Sequence, residues 1–109
     1  MTIICDIDGC LIEHQDIYKE VKPLEGTLQK MKEWDRKGYN IILTTGRRES
    51  SRQITEKELS KAGICYDVLV MGLGPYPRVL INDAPEGSDK VTAKAITLSR
   101  NKGIKDIIL

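Results

Sequence analysis

The 109-residue chain has almost no net charge and few residues that bind metals through nitrogen or sulfur. Lys and Arg total 17 against 16 Asp and Glu, a formal net charge of +1, so no basic surface predicts binding to nucleic acid. Its three cysteines, Cys5, Cys10 and Cys65, lack the spacing of a metal site, which favours reduced thiols in a cytoplasmic protein. The one histidine, His14, has no metal-binding neighbour in sequence and is interpreted as a structural loop residue.

Long apolar runs are also missing. No run approaches the roughly 18 residues that a bilayer-spanning helix needs, and the first residues lack the basic-then-apolar order of a signal peptide. We therefore expect no membrane association and a cytoplasmic location. The hydrophobic content of 40% fits one domain that buries its own core, and we predict that residues 1–109 form that single domain.

Strand and helix signals alternate along the chain. Apolar runs predict strands at 2–7, 39–44, 66–71, 79–81 and 106–109, and helical spacing predicts helices at about 23–37, 49–62 and 88–101. This alternation is typical of an α/β fold with a parallel sheet and right-handed crossovers.

The predicted second helix divides into an inner and an outer face. Ile54, Leu59 and Ala62 are predicted to face inward. The charged residues of this helix are interpreted as exposed charges that support one another at three- and four-residue spacing; they are Glu56, Lys57, Glu58 and Lys61.

Polar groups follow three of the predicted strands. Asp6 and Asp8 end the first strand, the segment Thr44-Thr45-Gly46-Arg47 ends the second, and Asn82-Asp83 ends the fourth. Ligands of a doubly wound sheet bind outside the carboxyl ends of its strands. The three segments therefore predict one site for a phosphate and a metal.

These motifs resemble those of the haloacid dehalogenase superfamily, whose phosphatases carry Asp-x-Asp-Gly-Thr after the first strand, Thr or Ser after the second and acidic residues after the fourth. The resemblance implies a single Rossmann-like three-layer domain with a central parallel sheet and the first strand in its middle. Only about 14 residues separate Asp8 from Pro23, and the stretch 72–78 is shorter still. We therefore expect no cap domain at either place where relatives insert one.

A phosphomonoester is a dianion, so an attacking carboxylate needs a cation to offset the repulsion. Mg²⁺ suits an all-oxygen site. Asp6 is predicted to bind the metal and to act as the nucleophile, forming an aspartyl-phosphate. Asp8 is predicted to offer its backbone carbonyl to the metal and its side chain as general acid and base. Asp83 is the expected third ligand, and Asn82 orients it or a bound water.

The segment after the second strand is predicted to hold the phosphate. By the resemblance, the Thr44 hydroxyl binds a phosphoryl oxygen, with the backbone N–H groups of Thr45 and Gly46 beside it. Arg47 is then placed to fork onto the phosphate or a neighbouring substrate group. A glycosyl or carboxylate ligand for Arg47 is an open alternative.

Two positions depart from the family pattern. Cys10 replaces the usual Thr of the first motif, and Gly74 stands where small relatives carry a Lys that neutralises the nucleophile and phosphate. We predict that Arg78 supplies that charge; Lys57 and Lys61 are the alternatives.

The predicted function is a Mg²⁺-dependent phosphomonoester hydrolase that acts on a sugar phosphate or a similar small phosphorylated metabolite. Without a cap the cleft is open, and either a bulky substrate or a neighbouring subunit of a homo-oligomer closes it. The alternative is a catalytically silent or weakly active phosphate-binding module of the same fold. A phosphoryl-accepting receiver domain is disfavoured because the third strand ends in Leu69-Val70-Met71-Gly72, without an Asp.

Overall fold

The computed structural model describes residues 1–14 and 20–109. Three strands form a parallel sheet in the order β1-β2-β3, with helices in the two connections, as the alternation of strand and helix signals predicts. The elements are β1 (Thr2–Asp6), α1 (Thr27–Arg36), β2 (Asn40–Thr44), a 3-10 turn (Glu49–Ser51), α2 (Arg52–Ala62) and β3 (Val68–Val70).

Helix α1 forms because its apolar side chains recur on one face. Met31 and Trp34 are buried on that face, and the predicted glycine end is present, since Gly38 follows the last turn with φ 74°. The amide of Gly38 donates to the carbonyl of Asp35 over 2.9 Å, which satisfies a carbonyl that the helix end would otherwise leave unpaired.

Helix α2 turns a different face inward from the one predicted. Leu59 is buried and Ala62 packs against the core as expected, but Ile54 is 64% exposed. The buried residue of the first turn is Thr55. Thr55, Leu59 and Ala62 follow the four- and three-residue spacing of one helix face, whereas Ile54 lies one residue, or about 100°, away from it.

The loops that follow β2 and β3 are bonded to each other. The Thr45 amide donates to the Val70 carbonyl over 3.0 Å, and the Gly72 amide donates to the Arg47 carbonyl over 2.7 Å. A Cβ added to Gly46 would lie 2.8 Å from the carbonyl oxygen of Gly74, so only glycine fits that approach without a shift of the backbone. These contacts fix the loop that carries Arg47.

The chain beyond β3 departs from the prediction. Within residues 1–14 and 20–109, no strand forms at 79–81 or 106–109 and no helix forms at 88–101. Val79, Leu80 and Ile81 are exposed. β1 consequently lies at the edge of the described sheet instead of in its middle.

The local signals for these elements are weak. The apolar segment 79–81 has only three residues and lies between Pro77 and Pro85, which limit the extension of a strand beyond it. The segment 88–101 contains four β-branched residues, which lower helix propensity. They are Val91, Thr92, Ile96 and Thr97.

The C-terminal residues pack against the N-terminal half without forming a strand. Ile104 is fully buried in the core, and the carbonyl of Ile107 accepts a hydrogen bond from the Lys30 ammonium over 2.9 Å. Because the amide of Ile107 donates to Ile104 in a turn, this segment does not extend into a ladder.

None of the helices that the structure describes combines the length and apolar character that crossing a bilayer requires.

Candidate functional site

Asp6 and Thr44 lie side by side at the carboxyl end of the sheet. They are the last residues of β1 and β2 and are paired in the parallel register. Parallel strands end at the same edge, and this pairing brings together the first two predicted motifs. Thr44 is buried, whereas Asp6 is exposed at the strand end.

A tight turn follows Asp6 and sets the direction of Asp8. The amides of Leu11 and Ile12 both donate to the carbonyl of Ile7, over 2.9 and 3.3 Å, and the Gly9 amide donates to the carbonyl of Ile12 over 2.8 Å. Gly9 has φ 84°, a conformation that favours glycine. The bridge between Asp8 and Ile12 uses the carbonyls of Ile7 and Ile12, so it does not consume the carbonyl of Asp8.

Arg47 forks onto the carboxylate of Asp8. Its Nε donates to Oδ2 over 3.1 Å and its Nη2 donates to Oδ1 over 2.8 Å. This two-bond geometry is the strong arrangement for an arginine and a carboxylate. The carboxylate that Arg47 contacts in this structure is that of Asp8, and contact with a phosphate, a glycosyl group or a carboxylate of a bound ligand stays a prediction.

The other edge of the Arg47 guanidinium contacts helix α2. Nη1 donates to Glu58 Oε2 over 2.7 Å and to the hydroxyl of Thr55 over 3.2 Å. Desolvation by burial works against the charge of Arg47, but the hydrogen bonds to Asp8 and Glu58 and the charges of both carboxylates outweigh it and raise the pKa of Arg47. Arg47 therefore carries its charge at any physiological pH.

The carboxyl group of Asp6 is less favourably placed for a charge. Desolvation raises its pKa above the ordinary value, and the charge of Asp8 raises it further. The backbone N–H of Ile7 and the charges of Arg78 and His14 act in the opposite direction without cancelling the shift. Desolvation, more than the negative charge of Asp8, thus causes the shift, and a bound cation would favour the ionised form of Asp6.

The charge of Arg78, which lies in the loop after β3, lowers the pKa of Asp6. Its side chain is exposed, and its guanidinium also donates to the carbonyl of Tyr76. The predicted alternatives differ: Lys61 lies 3.8 Å from the carboxylate of Glu20, and neither Lys57 nor Lys61 is among the groups that shift the pKa of Asp6.

The loop after β2 presents its groups unevenly. The Thr45 side chain is buried, and its hydroxyl accepts a hydrogen bond from the Arg47 amide over 3.1 Å. The Thr45 amide donates its hydrogen bond to the carbonyl of Val70. Gly46 is exposed beside Gly74.

Asn82 and Asp83 lie in the exposed segment after β3. The side chain of Asn82 donates to the carbonyl of Thr92 over 3.1 Å, and the hydroxyl of Thr92 donates to the backbone carbonyl of Asp83. Within the described residues, no group of three or more His, Cys, Asp or Glu side chains is arranged to hold a metal ion. The role of Asn82 and Asp83 in a metal site stays a prediction.

The candidate donors of the first motif suit Mg²⁺ in kind. The Asp6 carboxylate and the Asp8 carbonyl offer oxygen atoms, the ligands that Mg²⁺ prefers, and a cation would offset the charge of the partly desolvated Asp6 carboxylate. The thiol of Cys10 is a poor competitor as a ligand, because desolvation and the charges of Asp6 and Asp8 raise its pKa.

Besides the bonds of Arg47 to Asp8 and Thr55, two further contacts of the site were not predicted from sequence. Glu58 was interpreted as an exposed helix charge, and its contact with Arg47 depends on how α2 packs against the loop after β2. The second is Asn101, whose amide donates to the Gly9 carbonyl over 2.8 Å and whose side-chain oxygen accepts from the His14 amide over 2.7 Å. No local pattern links residues so distant in sequence.

A parallel α/β sheet with two aspartates after its first strand and a Thr-Thr-Gly-Arg loop after its second defines an α/β protein of the phosphatase-like class. The sequence model described as "HAD superfamily, subfamily IIIB (Acid phosphatase)" matches residues 16–73. The chain belongs to this family, which confirms the superfamily that the motifs resemble. The matched range contains the Arg47 loop but neither Asp6 and Asp8 nor Asn82 and Asp83.

Solved structures give similar folds. A chain of the Pnkp1/Rnl/Hen1 complex is 32% identical, with a TM-score of 0.57 over 64% of this chain and 26% of its own length. A target protein from Vibrio cholerae is 22% identical, with a TM-score of 0.56 over 69% of this chain and 71% of its own. The D,D-heptose 1,7-bisphosphate phosphatase from B. bronchiseptica, complexed with magnesium and phosphate, is 20% identical. Its TM-score is 0.52, over 68% of this chain and 51% of its own length.

The chain thus spans about a quarter of the length of the first of these relatives. A search of curated proteins gives no significant match.

Proposed function

We propose that the chain is a Mg²⁺-dependent phosphomonoester hydrolase that acts through an aspartyl-phosphate on Asp6. The observation that carries the proposal is the pairing of Asp6 with Thr44 at one sheet edge, with Arg47 bound to Asp8 beside them. Membership of the acid phosphatase subfamily supports it.

The reaction would proceed in two displacements. A carboxylate oxygen of Asp6 attacks phosphorus, a new P–O bond forms, and the bond to the leaving oxygen breaks as Asp8 gives that oxygen a proton. Asp8 then takes a proton from water, which attacks phosphorus and releases inorganic phosphate and free Asp6. The Thr44 hydroxyl and the N–H groups of Thr45 and Gly46 are proposed to hold phosphoryl oxygens, and Thr45 would have to exchange its bond to Val70 to do so.

When bound, Mg²⁺ supplies the positive charge that lets an anionic nucleophile meet a phosphate dianion. Asp6 through its side chain and Asp8 through its carbonyl would hold it, with Asp83, assisted by Asn82, as the third ligand. Asp83 follows the exposed residues Val79, Leu80 and Ile81. Whether Asp83 can bind the metal therefore depends on the position of this segment.

A sugar phosphate or a similar small metabolite is the proposed substrate, since a formal net charge of +1 offers little attraction for a polyanion. A phosphorylated nucleic acid end is the second candidate, because a chain of the Pnkp1/Rnl/Hen1 RNA repair complex is 28% identical over 79% of this chain. The open cleft would be closed by the substrate or by a second subunit, and we propose that the protein acts in the cytoplasm.

The test is hydrolysis of p-nitrophenyl phosphate with Mg²⁺, with and without EDTA, followed by a panel of sugar phosphates and 3′- and 5′-phosphorylated oligonucleotides. We expect Mg²⁺-dependent turnover that EDTA abolishes, and the highest kcat/KM on a sugar phosphate. Binding of phosphate without turnover of any substrate would instead identify a silent binding module, the reading that Gly74 at the family's Lys position favours.

A further inference from the structure

We propose that Glu58 is a positioning residue for the general acid Asp8 and acts through Arg47. The proposal rests on the proposed function, because it concerns how the leaving group receives its proton. Glu58 touches neither phosphate nor metal in this scheme. It holds the far edge of the guanidinium whose near edge holds Asp8.

The hydrogen bonds of Arg47 carry the argument. A guanidinium has five N–H donors, and four of them are used among the described residues: two on Asp8, one on Glu58 and one on Thr55. The backbone of Arg47 is held as well, since its amide donates to Thr45 and its carbonyl accepts from Gly72. One donor, on Nη2, is left for a substrate oxygen.

Glu58 matters because a phosphate dianion would compete with Asp8 for Arg47. A guanidinium held only by Asp8 could rotate toward the substrate, and Asp8 would then lose the contact that fixes its carboxyl group. The bond from Nη1 to Glu58 is short, 2.7 Å, and both side chains are about three-quarters buried. Anchored on this second carboxylate and on Thr55, the guanidinium would stay on Asp8 when substrate binds. Its two bonds use one lone pair on each Asp8 oxygen, so the remaining lone pairs can carry the proton for the leaving oxygen.

The neighbouring ion pair on the same helix provides a matched control. Glu56 lies 3.3 Å from Arg52, and its side chain is 46% exposed. Such an exposed pair contributes little to stability. Glu56→Gln therefore removes a helix carboxylate from α2 without touching Arg47.

The experiment compares two leaving groups in Glu58→Gln, Glu58→Asp and Glu56→Gln. p-Nitrophenolate leaves without protonation, whereas the alkoxide of β-glycerophosphate needs the proton of Asp8. We compare kcat/KM, which reports the steps up to departure of the leaving group and not the hydrolysis of the aspartyl-phosphate that both substrates share. We expect Glu58→Gln to lower kcat/KM on β-glycerophosphate by about tenfold and kcat/KM on p-nitrophenyl phosphate by less than about threefold. Glu58→Asp should recover part of the loss, and Glu56→Gln should match the wild type on both substrates.

Thr55→Val provides a second test that does not involve Glu58. It removes the other acceptor of Nη1 at nearly constant volume and should show the same dependence on the leaving group. Thr55→Ser keeps the hydroxyl and should restore the wild-type activity on both substrates. Thermal melts of all variants show whether each is folded at the assay temperature.

Each result decides the matter in one direction. Equal losses on both substrates, or no loss in Glu58→Gln beside an active wild type, would overturn the role of Glu58 and leave the phosphatase assignment standing. A wild type that hydrolyses neither substrate would overturn the proposed function, and the role of Glu58 with it.

Discussion

At the scale of single residues, Asp6 combines a reactive position with an unfavourable charge. Its pKa is raised by desolvation and then by Asp8, so the unfolded chain releases this proton at lower pH than the folded one. As pH rises from the unfolded to the folded pKa, this group therefore lowers stability, and the loss persists at neutral pH. An ionised carboxylate held in this way is destabilising for the fold.

Asp6→Asn should abolish turnover without lowering stability. The change removes the proposed nucleophile and metal ligand, and it also removes the destabilising charge. We expect a Tm at pH 7 equal to or above that of the wild type, with the difference shrinking at acid pH, where Asp6 is protonated in both states. Activity within about tenfold of wild type, about 1.4 kcal/mol of barrier, would contradict the covalent mechanism.

Arg78→Ala should reduce kcat/KM more than Lys57→Ala or Lys61→Ala. The charge of Arg78 lowers the pKa of Asp6, whereas Lys61 lies against Glu20 on the surface. Loss of a cation that faces transition-state charge is expected to cost about 2 to 4 kcal/mol. Steady-state kinetics of the three single variants decide the matter, and a collapse of a lysine variant beside an active Arg78→Ala would transfer the role to α2.

At the scale of elements, the loop after β1 depends on a segment that lies far along the chain. Asn101 binds both Gly9 and His14, and its φ of 65° lies in the left-handed region. The Cγ of Arg100 lies 3.3 Å from the position that a Cβ on Gly9 would take. The C-terminal segment thus covers the turn that carries Asp8.

Asn101→Gly should loosen this turn. Glycine accepts the positive φ, so the variant removes only the side-chain acceptor for the His14 amide, at a cost of about 1 kcal/mol. We expect a lower Tm and a lower kcat, whereas Asn101→Asp, which keeps an acceptor oxygen, should remain near the wild type. If both variants behave alike, the side chain of Asn101 has no part in holding the turn.

At the scale of the whole molecule, the proposed metal site would join the carboxyl end of the sheet to the segment beyond β3. Asp83→Ala should weaken Mg²⁺ activation much more than Asn82→Ala, because a charged oxygen better offsets the cost of removing water from the ion. Titration of activity against Mg²⁺ in both variants measures the difference. Equal shifts in the two curves would mean that the third ligand has been assigned to the wrong residue.

Local sequence patterns account for the first two-thirds of the chain. The β1, α1, β2, α2 and β3 elements lie within or near their predicted ranges, because each is a buried apolar run or a periodic helix that ends at a suitable residue, such as Gly38 or Gly63. The segment after residue 78 was predicted less well. Short apolar runs between prolines and a β-branched helix pattern do not specify one structure, so the result depends on what they pack against.

The sequence by itself determined the class of fold, the family and the candidate residues for the proposed chemistry, because strand ends and residue types are local properties. Only the tertiary structure decided which groups meet. Asp6 beside Thr44 depends on strand register, and Arg47 on Asp8 and Glu58 depends on how α2 packs against the loop after β2. Asp8 and Glu58 lie 39 and 11 residues from Arg47 in sequence, and both bind its guanidinium. Packing, rather than local periodicity, sets these contacts.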